Sequence, residues 1–177
     1  MTVRIGFLRA VNLGKRKVEM ARLKAVTEGL GHGDVWTYIN SGNVVFDAAG
    51  SRANLERAME KALEAEFGFE CTTFVRTAQQ LRSVLDSAPF TIATGETHFV
   101  TFLKEPPSSG QASRLEGLSN DVDTLVVHGA DVHWRMRGKS TDSRLTKRDW
   151  EKILGPMSST SRNVTMLTKL VSRLDTA

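Results

Sequence analysis

The chain has 177 residues, 40% of them apolar and 25% charged, with a formal net charge of +4. These are ordinary globular proportions, so they exclude disorder, collagen-like sequence and coiled coil as the main state, and the length suits one large domain or two small ones. The single Cys71 excludes an internal disulfide and a multi-cysteine zinc site. No run approaches the roughly 18 consecutive apolar residues of a membrane helix, and no signal pattern opens the chain. We therefore expect a cytoplasmic protein without a membrane partner.

The charges are unevenly distributed along the chain. Residues 96–134 contain two basic and six acidic residues, whereas residues 135–177 contain ten basic and four acidic ones. A second basic cluster, Arg9 with Lys15, Arg16 and Lys17, follows the first apolar run. Charges usually face solvent, but two basic clusters favour an anionic partner.

The first 88 residues predict the element order βαββαβ followed by one helix. The first apolar run is short and typical of a buried strand, and an Asn-Ser-Gly sequence between two β-branched and aromatic runs predicts a hairpin. Ser51 and Thr77 are suited to be helix N-caps. In chain order we predict a strand at 3–10, a helix over 20–30, strands at 34–40 and 43–47, a helix over 51–67, a strand at 71–76 and a short helix from 77 that Pro89 ends.

The second half repeats much of this order after a linker at 89–96. Its pattern predicts βαββα with a terminal helix in place of a fourth strand. The predicted elements are a strand at 97–104, a helix over 111–118, a hairpin of 122–128 with 132–137, a helix over 145–154 and a last helix over 162–174.

Right-handed crossovers leave few topologies for this order besides a split-βαβ sandwich. We therefore predict an α+β protein, a tandem of two ferredoxin-like (α/β plait) subdomains at 1–88 and 97–177, the second ending in an extra helix. An RNA-recognition domain shares the order, but its third strand carries stacking aromatics, of which only Phe46 is present here. Both alternating sets of the first hairpin are apolar, which predicts that both faces of the sheet are covered.

Three strings resemble the signatures of an uncharacterised, mainly bacterial family, catalogued as domain of unknown function 1697. They are Leu8–Gly14 (LRAVNLG), Thr37–Phe46 (TYINSGNVVF) and Thr160–Thr165 (TSRNVT). The resemblance implies a tandem of two plait subdomains and brings no established activity. Where the family commonly has two glycines, this chain has Ala10 and Lys15, which argues against a glycine-lined phosphate loop at 9–15 and adds a cation.

Polar residues collect where the first strand ends and the third begins. In a βαββαβ sandwich these two strands are adjacent and antiparallel, so Arg9 and Asn12 should lie beside the turn that contains Ser41 and Asn43. A guanidinium, amides, a hydroxyl and turn N–H groups favour an anion or phosphate cradle. Lys15 would add charge and Tyr38 a ring or phenol. The alternative is that the turn needs Asn, Ser and Gly anyway, and that Arg9 pairs with a carboxylate.

The third string predicts a second anion-binding element. Hydroxyls at 158–161 precede the predicted last helix, with Arg162 and Asn163 beside them, and helix N-termini attract anions. Ordinary N-capping or docking of the helix is the alternative.

Other constellations are weaker. His128 and His133 flank a turn without a third ligand at a recognised spacing, so we expect no metal and interpret both as surface or hydrogen-bonded histidines. No Walker or dinucleotide fingerprint is present, and no cofactor is indicated.

The function predicted from these residues is binding of a small anionic or phosphorylated ligand, a nucleotide or nucleic-acid backbone included, near the interdomain cleft. One alternative is an enzyme acting on such a ligand, with Arg9, Lys15 and Arg162 stabilising charge and Tyr38 transferring protons. The other is a non-catalytic interaction module. Whether there is catalysis is open, and a second copy of the chain is a further candidate partner.

Overall fold

The computed structural model describes residues 1–177 and divides into two compact units, Met1–Leu81 and Arg82–Ala177. Each unit contains one four-stranded antiparallel sheet. The first seven elements are β1 (Thr2–Leu8), α1 (Met20–Gly29), β2 (Gly33–Thr37), β3 (Asn43–Ala48), α2 (Arg52–Phe67), β4 (Thr73–Thr77) and α3 (Ala78–Asp86), the last of which spans the division.

The first sheet has the strand order β2-β3-β1-β4. Helix α2 begins where the Ser51 hydroxyl accepts a hydrogen bond from the Asn54 N–H, and it ends at Gly68, which is left-handed. One face of the sheet packs against α1 and α2. The buried residues of this core include Leu8, Val44, Phe46 and Val75 from the sheet and Leu23, Met59 and Leu63 from the helices.

The opposite face of the first sheet is buried as well. Ile5, Phe7 and Phe74 are fully buried, and Val45 is nearly so. This confirms that both faces are covered, and it excludes the open aromatic platform on which an RNA-recognition domain stacks bases.

The second unit has the strand order β6-β7-β5-β8. Its core, on the face that packs against α4 and α5, includes Leu103, Leu115, Val132 and Ile153. The elements are β5 (Glu96–Leu103), α4 (Ser109–Glu116), β6 (Asp123–His128), β7 (Asp131–Arg137), a 3₁₀ turn at Ser140–Asp142, α5 (Lys147–Leu154), β8 (Ser159–Asn163) and α6 (Val164–Thr176).

The two units correspond in register as well as in element order. Ile5 of β1 lies opposite Arg76 of β4, and Val100 of β5 lies opposite Arg162 of β8. The residue that ends β4, Thr77, caps α3, and Asn163 ends β8 and caps α6 in the same way. Helix α6 is therefore the counterpart of α3, and each half of the chain is an α/β plait followed by one helix.

The prediction that a helix replaces the fourth strand of the second half is wrong, because β8 is that strand. The sequence does not reveal it, since Ser159–Asn163 contains no apolar residue and the alternation typical of a strand is absent. Its alternate residues are nevertheless buried, and they are polar: Thr160 and Arg162. Pairing with β5 holds this segment extended.

The α+β tandem of two ferredoxin-like plaits is confirmed. Residues 87–95, between α3 and β5, form neither helix nor strand. None of the helices combines the length and the apolar character needed to cross a bilayer.

Candidate anion-binding site

Two connections meet at one end of the first sheet, and we call them the β1–α1 loop (residues 9–19) and the β2–β3 turn (residues 38–42). They meet because β1 and β3 are antiparallel neighbours, with Phe7 opposite Asn43. The Leu8 N–H donates to the Gly42 carbonyl at 2.8 Å, which extends the pairing to the base of both connections. The topology thus brings together the segments that the sequence predicts to be neighbours.

Asn12 organises the β1–α1 loop. Its Nδ2 donates to the carbonyl of Asn40 at 2.5 Å and to that of Val18 at 3.0 Å, and its Oδ1 accepts from the Val18 N–H at 2.9 Å. One side chain therefore closes the loop on itself and ties it to the turn. The amide is engaged within the protein, so Asn12 positions the site.

The backbone of the loop is left-handed at alternate residues. Ala10, Asn12 and Gly14 have φ angles of 52°, 58° and 58°. Alanine at position 10 therefore adopts a conformation that glycine reaches more readily. Left-handed residues in alternation turn successive N–H groups toward one side, a geometry that binds anions. The N–H groups of Gly14 and Lys15 donate no hydrogen bond within the protein.

The loop also carries the cations of the candidate site. Lys15 and Lys17 are exposed, and Arg9 is half-buried. Arg16 has a different role, because its guanidinium donates to the Glu70 carbonyl and lies 4.9 Å from the centre of the Phe69 ring. The first basic cluster of the sequence thus separates into two exposed lysines, the half-buried Arg9, and Arg16, which packs on Phe69.

The β2–β3 turn requires glycine at position 42. Gly42 has a φ of 81°, and a Cβ atom there would lie 2.6 Å from Val11 Cγ2 and 2.9 Å from Leu8 Cβ. The buried Asn43 braces the turn, since its Nδ2 donates to the Tyr38 carbonyl at 2.8 Å and to Ser41 Oγ at 2.9 Å.

Ser41 and Asn40 are exposed at the tip of the turn, and Tyr38 is half-buried. Of the predicted residues, Arg9, Asn12 and Lys15 lie in the β1–α1 loop, Tyr38 and Ser41 lie in the β2–β3 turn, and Asn43 follows the turn directly. The hydrogen bond from Asn12 to the Asn40 carbonyl joins the two segments.

The two remaining predicted residues, Arg162 and Asn163, lie in the second unit. Arg162 is buried on β8 and donates to Thr160 Oγ1 at 2.9 Å and to the Ser161 carbonyl at 3.0 Å. Its burial lowers its pKa to about 10. Asn163 Oδ1 accepts from the Thr165 N–H at 2.8 Å and caps α6.

The predicted hydroxyl cluster at a helix N-terminus is wrong. Residues 159–161 lie on β8, and Ser158 directly precedes this strand. The Ser161 hydroxyl bonds with Thr101 Oγ1 at 2.7 Å, and the Ser158 hydroxyl donates to the Gly155 carbonyl.

A cavity of about 200 Å³ lies in the second unit at the end of β5, the counterpart of the end of β1. Its lining includes Lys104 and Glu105, together with Pro107, Gln111 and Ser158. A cation and a carboxylate side by side have no net attraction for an anion, so the β1–α1 loop is the stronger candidate.

The histidines of the second unit form a structural group. His98 Nε2 and His133 Nδ1 lie 3.0 Å apart, and both residues are buried. Burial, with the nearby His98 and His128, lowers the pKa of His133 to about 4. No group of three or more His, Cys, Asp or Glu side chains is arranged to hold a metal ion. Sequence reasoning missed His98, because its partner is 35 residues away and only the β5–β7 pairing brings them together.

A family model described as "Protein of unknown function (DUF1697)" matches residues 1–133, which is more than half of the chain. The chain belongs to this family. No curated protein matches this DUF1697 chain.

A solved structure, that of the conserved bacterial protein SP0830 from Streptococcus pneumoniae, is similar to this DUF1697 protein. The likeness covers 99% of each chain with a TM-score of 0.74 and 22% sequence identity. At that identity the likeness shows the shared fold.

Proposed function

We propose that the first unit of this DUF1697 protein binds a small anionic or phosphorylated ligand at the β1–α1 loop. The observation that carries this proposal is the left-handed alternation at residues 10, 12 and 14, which leaves the N–H groups of Gly14 and Lys15 without acceptors beside two exposed lysines. An anion there receives backbone N–H bonds and an ammonium charge together.

The side chains divide into those that contact the ligand and those that hold the loop. Lys15, Lys17, Arg9 and the exposed hydroxyl of Ser41 are the groups that would meet the anion. Asn12 and Asn43 position the backbone through the bonds described above. The loop is therefore shaped before a ligand arrives, and binding does not have to order it.

The size of the site favours a small ligand. Its exposed cations lie on one short loop, whereas a nucleic-acid strand is held through many phosphate contacts and shows a steep dependence on salt. A mononucleotide or a phosphorylated metabolite offers one to three phosphates, which matches the N–H pair and the lysines.

Calorimetric titration with pyrophosphate tests the proposal. Lys15→Ala should weaken binding at least tenfold, since a charge-assisted hydrogen bond contributes on the order of 1.5–3 kcal/mol. Lys61→Ala is the matched control, because it removes the same charge from an exposed position on α2. The proposal fails if the unaltered protein does not bind pyrophosphate, or if both variants weaken binding equally.

A further inference from the structure

Two aliphatic side chains are exposed at the candidate anion site. Leu13 is 66% exposed and Ile39 is 52% exposed. Leu13 follows Asn12 and Ile39 precedes Asn40, and these are the two residues joined by the 2.5 Å hydrogen bond. The two apolar side chains therefore flank the link between the β1–α1 loop and the β2–β3 turn.

The identity of Ile39 is not explained by folding. Its φ is 51°, in the left-handed region, where a β-branched residue is disfavoured and asparagine or glycine is tolerated. Its exposed side chain gains little from burial in return. Strained backbone conformations cluster at active sites and ligand clamps, and Ile39 lies beside a second exposed aliphatic residue, Leu13.

We propose that the ligand is a nucleoside phosphate whose base lies against Leu13 and Ile39 while its phosphates meet the Gly14 and Lys15 N–H groups. This inference rests on the proposed function, which specifies only the anionic part of the ligand. The inference specifies the apolar part as well. An apolar pair beside Lys15 and Lys17 is complementary to an amphipathic anion, and a nucleotide joins a flat, weakly polar ring to phosphates.

Charge disfavours a second copy of the chain as the occupant. A two-fold dimer brings the same surface of both copies together, so it would place two sets of Lys15 and Lys17 side by side. The patch is also only two side chains wide, which gives a membrane surface little apolar area to hold.

The decisive measurement is calorimetric titration with ADP and with pyrophosphate, which share the diphosphate group. The unaltered protein should bind ADP at least tenfold more tightly than pyrophosphate. Leu13→Ser and Ile39→Asn should each weaken ADP binding about fivefold and leave pyrophosphate binding unchanged. Ile92→Asn is the control, because Ile92 is an exposed aliphatic residue (39%) that belongs to neither the β1–α1 loop nor the β2–β3 turn.

Folding is monitored by thermal melting of the same variants. Ile39→Asn should melt at the temperature of the unaltered protein or above it, since asparagine tolerates the left-handed conformation. If a variant melts at the normal temperature but binds ADP more weakly, the lost affinity comes from the lost contact between its side chain and the base.

The possible failures are distinguishable. Equal affinity for ADP and pyrophosphate overturns the base contact and leaves the proposed function standing, whereas failure to bind either overturns both. Two further measurements test the other occupants of the patch: binding to phosphatidylserine vesicles, and self-association by analytical ultracentrifugation. If Leu13→Ser abolishes vesicle binding or self-association while ADP affinity is unchanged, the patch serves a membrane or a second copy, and the inference is wrong.

Discussion

Gly42 is the residue whose missing side chain allows the two connections of the candidate site to meet. The Asn-Ser-Gly sequence predicts a turn, and the positive φ of Gly42 agrees with it. The structure adds a second requirement, the close approach of Leu8 and Val11. Any side chain at this position therefore costs energy twice, once in the backbone and once in packing.

Gly42→Ala should lower the free energy of unfolding by about 2–4 kcal/mol, combining the left-handed strain with overpacking. The matched control is Gly68→Ala, because Gly68 has a φ of 76° and a Cβ atom there would meet nothing within 4 Å. Gly68→Ala should cost only about 1 kcal/mol. Urea denaturation of both variants measures the difference, and equal losses would show that the contact with Val11 is absent.

At the scale of elements, side chains from outside the sheets satisfy N–H groups at one outer edge of each sheet. β4 is an edge strand, so the N–H groups on its outer side have no partner strand. The Val75 N–H donates to Glu56 Oε1 and the Thr73 N–H to Glu60 Oε1, both at 3.0 Å. Two residues of α2 that a sequence pattern would place in solvent therefore hold α2 against β4.

At the edge strand β6 of the second unit, the acceptors come from α4 and from the connection that follows it. The Val127 N–H donates to Glu116 Oε2 at 3.2 Å, and the Leu125 N–H donates to Ser119 Oγ at 3.0 Å. Since strands from different molecules pair through unsatisfied edges, these bonds also protect the units from aggregation.

Glu56→Ala should reduce the free energy of unfolding by about 1–3 kcal/mol, because it leaves the buried Val75 N–H without an acceptor. Glu64→Ala, an exposed position on the same helix, removes an equal charge and should cost under about 0.5 kcal/mol. Glu56→Gln keeps an acceptor oxygen and should fall between them. Similar unfolding energies for all three variants in urea would contradict the role given to Glu56.

A buried carboxylate holds the segment between β7 and α5. Asp123 accepts hydrogen bonds from the Trp134 indole at 2.8 Å, the Ser143 hydroxyl at 2.6 Å and the Arg144 N–H at 2.9 Å. Burial alone would raise the pKa of Asp123, but these bonds and one from Asn120 outweigh it and lower the pKa. The ionised carboxylate is thus the form that the fold stabilises.

At the scale of the whole molecule, buried groups make stability depend on pH. Burial lowers the pKa values of His32 and His98, and His133 titrates with a pKa of about 4 instead of 6.5. Below pH 6.5 the unfolded chain therefore binds protons that the folded chain does not bind. The contribution of these neutral histidines to the free energy of unfolding is fully present above that pH. It decreases as the pH falls toward the lowered pKa of His133.

Between pH 7 and pH 5 the unfolding free energy should fall by about 2 kcal/mol through His133, with further loss of the same sign from His98 and His32. Asp123 acts below this window, since its lowered pKa removes stability only as the pH falls below about 4. Urea denaturation at the two pH values tests this. His133→Gln should show a smaller pH dependence, and an unchanged dependence would mean that folding does not lower the pKa of His133.

The sequence alone determined most of the helices and strands of this protein. It also determined that the β1–α1 loop lies beside the β2–β3 turn. Apolar periodicity identifies α2 and β1. The antiparallel arrangement of neighbouring strands in this topology places Asn12 beside the β2–β3 turn. Those features depend on neighbours in the chain or on topology alone. The α+β plait and its repetition follow from them.

The tertiary structure alone decided what depends on pairing across long stretches of chain. β8 has a polar sequence and becomes a strand because β5 pairs with it, which buries Arg162 where a helix terminus is predicted. Ala10 is left-handed although alanine does not favour that conformation. It lies between Arg9, whose N–H donates to the Thr72 carbonyl, and Asn12, whose side chain donates to the Asn40 carbonyl. In each case contacts between residues distant in sequence outweigh the local conformational preference of the segment. Such contacts cannot be predicted from the pattern of residues along the chain.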